Sequence, residues 1–295
     1  VHIHTVDLQF QNIPGLIAAY VIESGRDLIL IETGPGSTLE TLRAGIRDLG
    51  LDEKNVRHVF VTHIHLDHAA AAGWWAQQGA QVYCHANAAR HLMDPSKLVA
   101  SARMIYQERM DSLWGDMLPA PADRVTVLND GDRVRAGDVE IIAWDTPGHA
   151  RHHLAFLIGK ACFTGDVAGM RLQGTKYLSV TAAPPQFEPL PYLASVERLS
   201  AAGLDKLYLT HFGEITDVSD HLLRYRQQIQ DVYEAVKADH ASGADESEVR
   251  RRYTAREHAR AVSLGINEAD WQRLESANNT VMCADGVRLC VEKGR

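Results

Sequence analysis

The chain is 295 residues long, with 45% apolar and 23% charged residues and a formal net charge of −8 at pH 7. That length suits one large α/β unit, alone or with an appendage, and the composition is that of an ordinary soluble globular protein. The negative balance disfavours tight binding to long nucleic acid, which draws on many Lys and Arg contacts to phosphate, and no apolar run approaches the roughly 18 residues of a membrane span.

Strand-like stretches come first, at IHTVDLQF (3–10), LIAAYVIE (16–23) and DLILIET (27–33). GPGS then breaks the pattern, and Ser37 is a candidate N-cap for a helix over 38–49. VRHVFVT (56–62) reads as a buried strand, AAAAGWWAQQ (69–78) as a helix and AQVYCH (80–85) as a short strand. Residues 86–118 are helical in period and rich in Met, Trp and Tyr, as expected of a helical insertion that forms a lid. Beyond PAPAD (119–123) strands return at RVTVL, VEIIAWDT, HLAFLIG and ACFTGD. The connection 167–191 has little periodicity, and structureless loops of that length are often functional. A helix over 191–202 and the strand KLYLTHF close this part.

From Val218 the sequence turns charged and helical, with one further strand expected at VRLCVEK. Residues 221–295 hold 12 Lys and Arg against 12 Asp and Glu, so the net charge belongs to the front of the chain. The basic run Arg250–Arg252 reads as a solvated helix face. Two domains are expected, 1–217 and 218–295, the second serving solubility or pocket shape rather than metal binding. Cys84, Cys162, Cys283 and Cys290 show no metal-finger or redox spacing, and no signal-peptide pattern opens the sequence. They are expected as thiols of a cytoplasmic protein.

Four apolar strands run into metal-capable side chains. VFVTHIHLDHAAAA (59–72) gathers His63, His65, Asp67 and His68; VEIIAWDTPGH leads to His149, ACFTGD to Asp166 and KLYLTH to His211. In layered α/β folds strand ends meet at one edge and build sites there. His63 and His65 lie two apart, so along an extended segment they leave the same face and can grip one ion. Asp67 and His68 follow where the chain turns into a helix and can reach a second ion. Adding His149 to the first pair and His211 to the second, with Asp166 bridging through its two oxygens, divides the seven residues into two sets. Imidazole with one or two carboxylates suits Zn²⁺, with Mn²⁺ and Fe²⁺ as other candidates. Two ions about 3.5–4 Å apart would hold a hydroxide between them and bring its acidity near neutrality.

These motifs, THIHLDH (62–68), TPGHARHH (146–153), FTGD (163–166) and THFG (210–213), resemble those of the metallo-β-lactamase superfamily, in particular its glyoxalase II-like, HxHxDH-type hydrolases. The resemblance covers residues 1 to about 215. It implies an αββα sandwich with a binuclear site at one edge, here followed by a C-terminal helical or winged-helix-like lobe. In that family His63, His65 and His149 would hold the first metal and Asp67, His68 and His211 the second, with Asp166 shared. His153 matches a supporting histidine, and Glu32 in LIETG stands where the family usually shows Asp.

The chemistry implied is hydrolysis of a small-molecule carboxylic ester, lactone or thioester. A metal-bridging hydroxide would be the nucleophile, with Asp67 orienting it or shuttling a proton. β-Lactam hydrolysis is disfavoured because β-lactamases of the family usually lack the complete HxHxDH set. Acyl-homoserine lactonases often place Tyr three residues after the bridging Asp, where this chain has Gly169. Rival readings are a mononuclear iron oxygenase resembling persulfide dioxygenases, a nuclease or phosphodiesterase, and a non-catalytic metal-binding module. Pocket candidates are Arg103, Tyr106 and Trp114 of the helical insertion and Arg171 and Tyr177 of the long loop. The oligomeric state, including a homo-oligomer, is left open.

Deleting a ligand opens a chelate, so His65→Ala and Asp166→Ala are each expected to lose bound metal and at least ~100-fold in turnover. Elemental analysis beside an activity assay checks this, and retained metal with full turnover in either variant contradicts the ligand assignment.

Overall fold

The computed structural model describes residues 1–294; Arg295, the last residue of the expected C-terminal lobe, lies outside the described residues. The chain divides into two compact units, Val1–Asp145 with His152–Gly165, and Thr146–Arg151 with 166–294.

In the first unit, strands β1 (Ile3–Asp7), β2 (Ala18–Ser24) and β3 (Asp27–Ile31) lead to helix α1 (Leu39–Asp48). Strand β4 (Val56–Phe60), helices α2 (Leu66–Ala69) and α3 (Ala72–Gln77) and strand β5 (Gln81–His85) follow. The insertion expected over 86–118 is helical, as α4 (Ala86–Met93), α5 (Ser96–Tyr106) and α6 (Met110–Trp114). Strands β6 (Val125–Leu128), β7 (Arg133–Ala136), β8 (Val139–Asp145), β9 (Leu154–Ile158) and β10 (Ala161–Gly165) complete the unit.

One sheet has the order β1-β2-β3-β4-β5-β6. Its first three strands pair antiparallel and its last four parallel. The other runs antiparallel through β10-β9-β8-β7. The two sheets face each other across an aromatic core. Phe60 of β4 stacks on Tyr83 of β5 at 4.4 Å between centroids and meets Phe156 of β9 edge-on at 5.2 Å. Tyr20 of β2 meets Phe163 of β10 edge-on at 5.2 Å. Central strands such as β2 and β9 are buried on both faces, which is why they read as apolar runs and not as alternations. This is the expected α/β sandwich of two sheets with helices, followed by a helical C-terminal region.

The second unit holds helix α7 (Pro189–Ser200), the hairpin β11 (Lys206–Leu209) and β12 (Gly213–Ile215), and four helices. These are α8 (Val218–Ala241), α9 (Glu246–Ser263), α10 (Glu268–Ala277) and α11 (Thr280–Glu292). VRLCVEK is not the expected strand; it lies in α11, where Cys283, Ala284, Val287 and Cys290 recur at helical spacing on the buried face. A short apolar run does not distinguish the two periods by itself; the side chain of Asn279, accepting from the Met282 N–H, starts the helix. The run Arg250–Arg252 is met by carboxylates: Arg250 pairs with Asp285, Arg251 with Glu248, and Arg252 with Glu248 and Asp239.

Phe60 is fully buried between the sheets. Phe60→Ala is expected to lower the stability of its unit by about 3–5 kcal/mol, read as a shift of the urea unfolding midpoint; an unchanged midpoint contradicts this account of the core.

Candidate metal centre

Strand β4 delivers Thr62 and His63 at its buried end, and the chain then turns into α2 with His65 as its N-cap residue (φ −62°, ψ 151°). His63 Nε2 stands 3.0 Å from His65 Nδ1, so the pair two residues apart meets on one face as the sequence requires. Asp67 and His68 occupy the first turn of α2, with Asp67 Oδ2 3.6 Å from His68 Nε2. The His63 ring lies 4.0 Å from that of His68, 5.0 Å from that of His153 and 6.1 Å from that of His152, centroid to centroid. Gly165 packs at the base of this cluster. At φ 49° a Cβ there would stand 2.4 Å from Thr62 Oγ1 and 2.8 Å from His153 Nε2, so only glycine fits.

Glu32 sets how these histidines present themselves. The buried carboxylate accepts from the Thr62 hydroxyl at 2.5 Å and from His68 Nδ1–H at 3.1 Å, both on Oε1. Because the Thr62 hydrogen goes to Glu32, the 3.0 Å bond between Thr62 Oγ1 and His63 Nδ1 is donated by the imidazole. Both rings thus carry their hydrogen on Nδ1 and present an Nε2 lone pair, the tautomer a metal needs. The turn after β3 also grips the His68 backbone: the N–H groups of Thr33 and Gly34 donate to the His68 carbonyl at 2.9 and 3.1 Å. Glu32 itself stands at φ 64°, a region that a residue with a side chain enters only where its surroundings fix it. The extra methylene relative to Asp does not keep the carboxylate from its partners.

In the second unit Asp166 follows β10 directly. Its Oδ2 faces His149 Nε2 at 3.3 Å and its Oδ1 faces His211 Nε2 at 3.4 Å, one oxygen to each imidazole. His149 donates Nδ1–H to the Thr181 carbonyl at 2.9 Å, which again leaves Nε2 as the presenting nitrogen. The Asp166 carbonyl accepts from the hydroxyls of Thr181 and Tyr192, at 3.0 and 2.6 Å. Burial pushes the phenols of Tyr192 and Tyr225 above their ordinary value, so both stay protonated donors at neutral pH. Burial likewise pushes His221 down to about 4, and the neutral ring donates Nε2–H to the Ala168 carbonyl at 2.9 Å.

The donor set fits divalent ions. Two ligand atoms about 2.0–2.2 Å from a tetrahedral ion stand about 3.3–3.6 Å apart. The separations between Asp67 and His68, 3.6 Å, His149 and Asp166, 3.3 Å, and His211 and Asp166, 3.4 Å, lie in that window. Nitrogen and carboxylate donors of this mixture suit Zn²⁺ and also Mn²⁺ or Fe²⁺.

The pocket candidates separate. Burial, and next the Asp67 carboxylate, pushes the Tyr106 phenol up to about 12. Trp114 meets Tyr106 edge-on at 5.1 Å and stacks on Phe10 at 5.4 Å. Arg103 pairs with Asp111 on the surface, and Arg171 holds Asp217 through both terminal nitrogens. Tyr177 is buried, its hydroxyl donating to Glu257 at 2.8 Å. Thr62, His152, Thr181, Tyr192, Tyr225 and His221 are given no role by the sequence reading. Thr62, next to His63 in THIHLDH, and His152, next to His153 in GHARHH, had a local signal.

The family model of the metallo-beta-lactamase superfamily matches residues 12–211. Among curated relatives, a metallo-beta-lactamase fold-containing protein of Sulfurisphaera tokodaii is 24% identical over 200 residues, 66% of this chain and 72% of its own length. A hydroxyacylglutathione hydrolase of Xanthomonas euvesicatoria is 33% identical over 121 residues, 38% of this chain and 44% of its own. Among solved structures, a metallo-beta-lactamase family protein of Thermus thermophilus shares the fold with a TM-score of 0.67 at 18% identity, covering 99% of this chain and 94% of its own.

Glu32→Ala removes the acceptor of both the Thr62 hydroxyl and His68. It is expected to weaken Zn²⁺ affinity about 10–100-fold in chelator competition while the metal-free protein still unfolds cooperatively; undiminished affinity contradicts the role given to Glu32.

Proposed function

The chain belongs to the metallo-beta-lactamase superfamily, and from that premise we propose that it is a metal-dependent hydrolase whose two sets of ligands close on two divalent ions. His63, His65 and His149 are the proposed donors of one ion and Asp67, His68 and His211 those of the other, with Asp166 shared. The observation that carries this reading is the Asp166 carboxylate, whose two oxygens face two different imidazoles at 3.3 and 3.4 Å. Zinc is the ion the imidazole-rich set favours.

Two such ions supply a bound water of near-neutral acidity and a Lewis acid for the oxygen that gains charge. The protein's own groups do the rest. Glu32, directly and through Thr62, and the Thr181 carbonyl fix the tautomers of His68, His63 and His149, and Asp67, on the first turn of α2, would orient the nucleophile and pass a proton to the leaving group.

The substrate class is a carboxylic ester, lactone or thioester. The likeness to a hydroxyacylglutathione hydrolase, over 38% of this chain, supports the acyl-transfer side of that class. A mononuclear iron oxygenase keeps several of the same donors, so metal content is what separates the two readings. The four buried cysteines are thiols, which suits a reducing compartment. Among the described residues no helix is long and apolar enough to cross a membrane.

Exhaustive chelation is expected to abolish hydrolysis across a panel of esters, lactones and thioesters, and Zn²⁺ to restore it. Asp67→Asn is expected to cost ~10²–10⁴-fold in kcat. Undiminished turnover by the metal-free protein contradicts the proposal.

A further inference from the structure

Helix α8 opens the C-terminal helical region, where the sequence suggests a role in solubility or pocket shape. One of its faces instead grips the turn that follows Asp166. His221 Nε2–H donates to the carbonyl oxygen of Ala168 at 2.9 Å. One helical turn further on, the Tyr225 hydroxyl lies 2.7 Å from that of Tyr192, and Tyr192 lies 2.6 Å from the carbonyl oxygen of Asp166. Tyr192 gives its single hydroxyl hydrogen to Asp166, so Tyr225 is the donor between the two phenols. The Thr181 hydroxyl and the Gly169 N–H donate to the same Asp166 oxygen, each at 3.0 Å.

The backbone of the turn is shaped to this helix. Gly169 stands at φ 72°, and a Cβ there would lie 2.2 Å from Cε2 and 2.6 Å from Cζ of Tyr225. The tyrosine ring therefore fills the space that a side chain at 169 would need. Three donors on one carbonyl oxygen, a fourth on the carbonyl two residues later and a ring against the Cα leave the Asp166 peptide little freedom to rotate. Its carboxylate follows from where that peptide is held.

We propose that helix α8 is a positioning element of the metal centre: Tyr225, acting through Tyr192, and His221 fix the 166–169 turn and so hold the Asp166 carboxylate where it faces both His149 and His211. This rests on Asp166 being a metal ligand, as proposed above. The role is one of positioning, since neither Tyr225 nor His221 is itself a metal ligand.

The test uses the full-length chain. Zn²⁺ affinity by chelator competition and the visible absorption of the Co²⁺-loaded protein are measured for the wild type, Tyr225→Phe and Tyr192→Phe. Tyr253→Phe, a buried tyrosine of α9 outside this chain of bonds, is the control. Tyr225→Phe and Tyr192→Phe are expected to weaken Zn²⁺ binding about 10–100-fold and to shift the Co²⁺ bands, with Tyr253→Phe unchanged in both. Wild-type affinity and spectrum in Tyr225→Phe overturn the proposal while leaving the metal reading in place. An equal loss in Tyr253→Phe also overturns it, because the effect is then general loosening of the lobe. A wild type that binds neither ion overturns the metal reading, and this proposal with it.

Discussion

A buried imidazole can offer one nitrogen to a metal only if its other nitrogen has somewhere to put its hydrogen. His63, His68 and His149 are all nearly inaccessible, and each meets that requirement through a named acceptor: Thr62, Glu32 and the carbonyl of Thr181. The rest of the arrangement follows from supplying those acceptors. Glu32 must lie at the end of β3 beside β4, and it does so at φ 64°. Thr181 must be held against Asp166, and a long loop with almost no regular structure is folded into place to do it.

The same requirement separates the two layers of the ligand set. The donors come from strand ends and short turns, where two or three residues fix the direction of a side chain. The groups behind them come from wherever the fold can bring an acceptor or donor. In the first unit these are near in sequence, as Thr62 is, or one strand away, as Glu32 is. In the second unit they are distant: Tyr192 and Tyr225 lie 26 and 59 positions beyond Asp166. On the proposed assignment the metal donors come from strand ends and part of their support from helices.

That division also explains what could be read from the sequence. HxHxDH, GHARHH, TGD and THFG are local patterns, and their place after apolar strands marks four strand ends without any tertiary knowledge. Glu32 is legible as a carboxylate in a glycine turn, though its double contact with Thr62 and His68 is not. Tyr192, Tyr225 and His221 carry no local mark, since a tyrosine or histidine on the apolar face of a helix looks like core packing. For Tyr177, whose hydroxyl holds Glu257 in the interior, core packing is what the structure contains. VRLCVEK fails for a different reason, because seven residues are too few for the helical period to show against an apparent alternation.

The central claim is that the strand-end residues form a two-ion centre. Elemental analysis of the protein, purified without added metal or chelator, tests it most directly. The account predicts about two zinc or manganese ions per chain. A protein carrying about one iron per chain, or no transition metal at all, would contradict it.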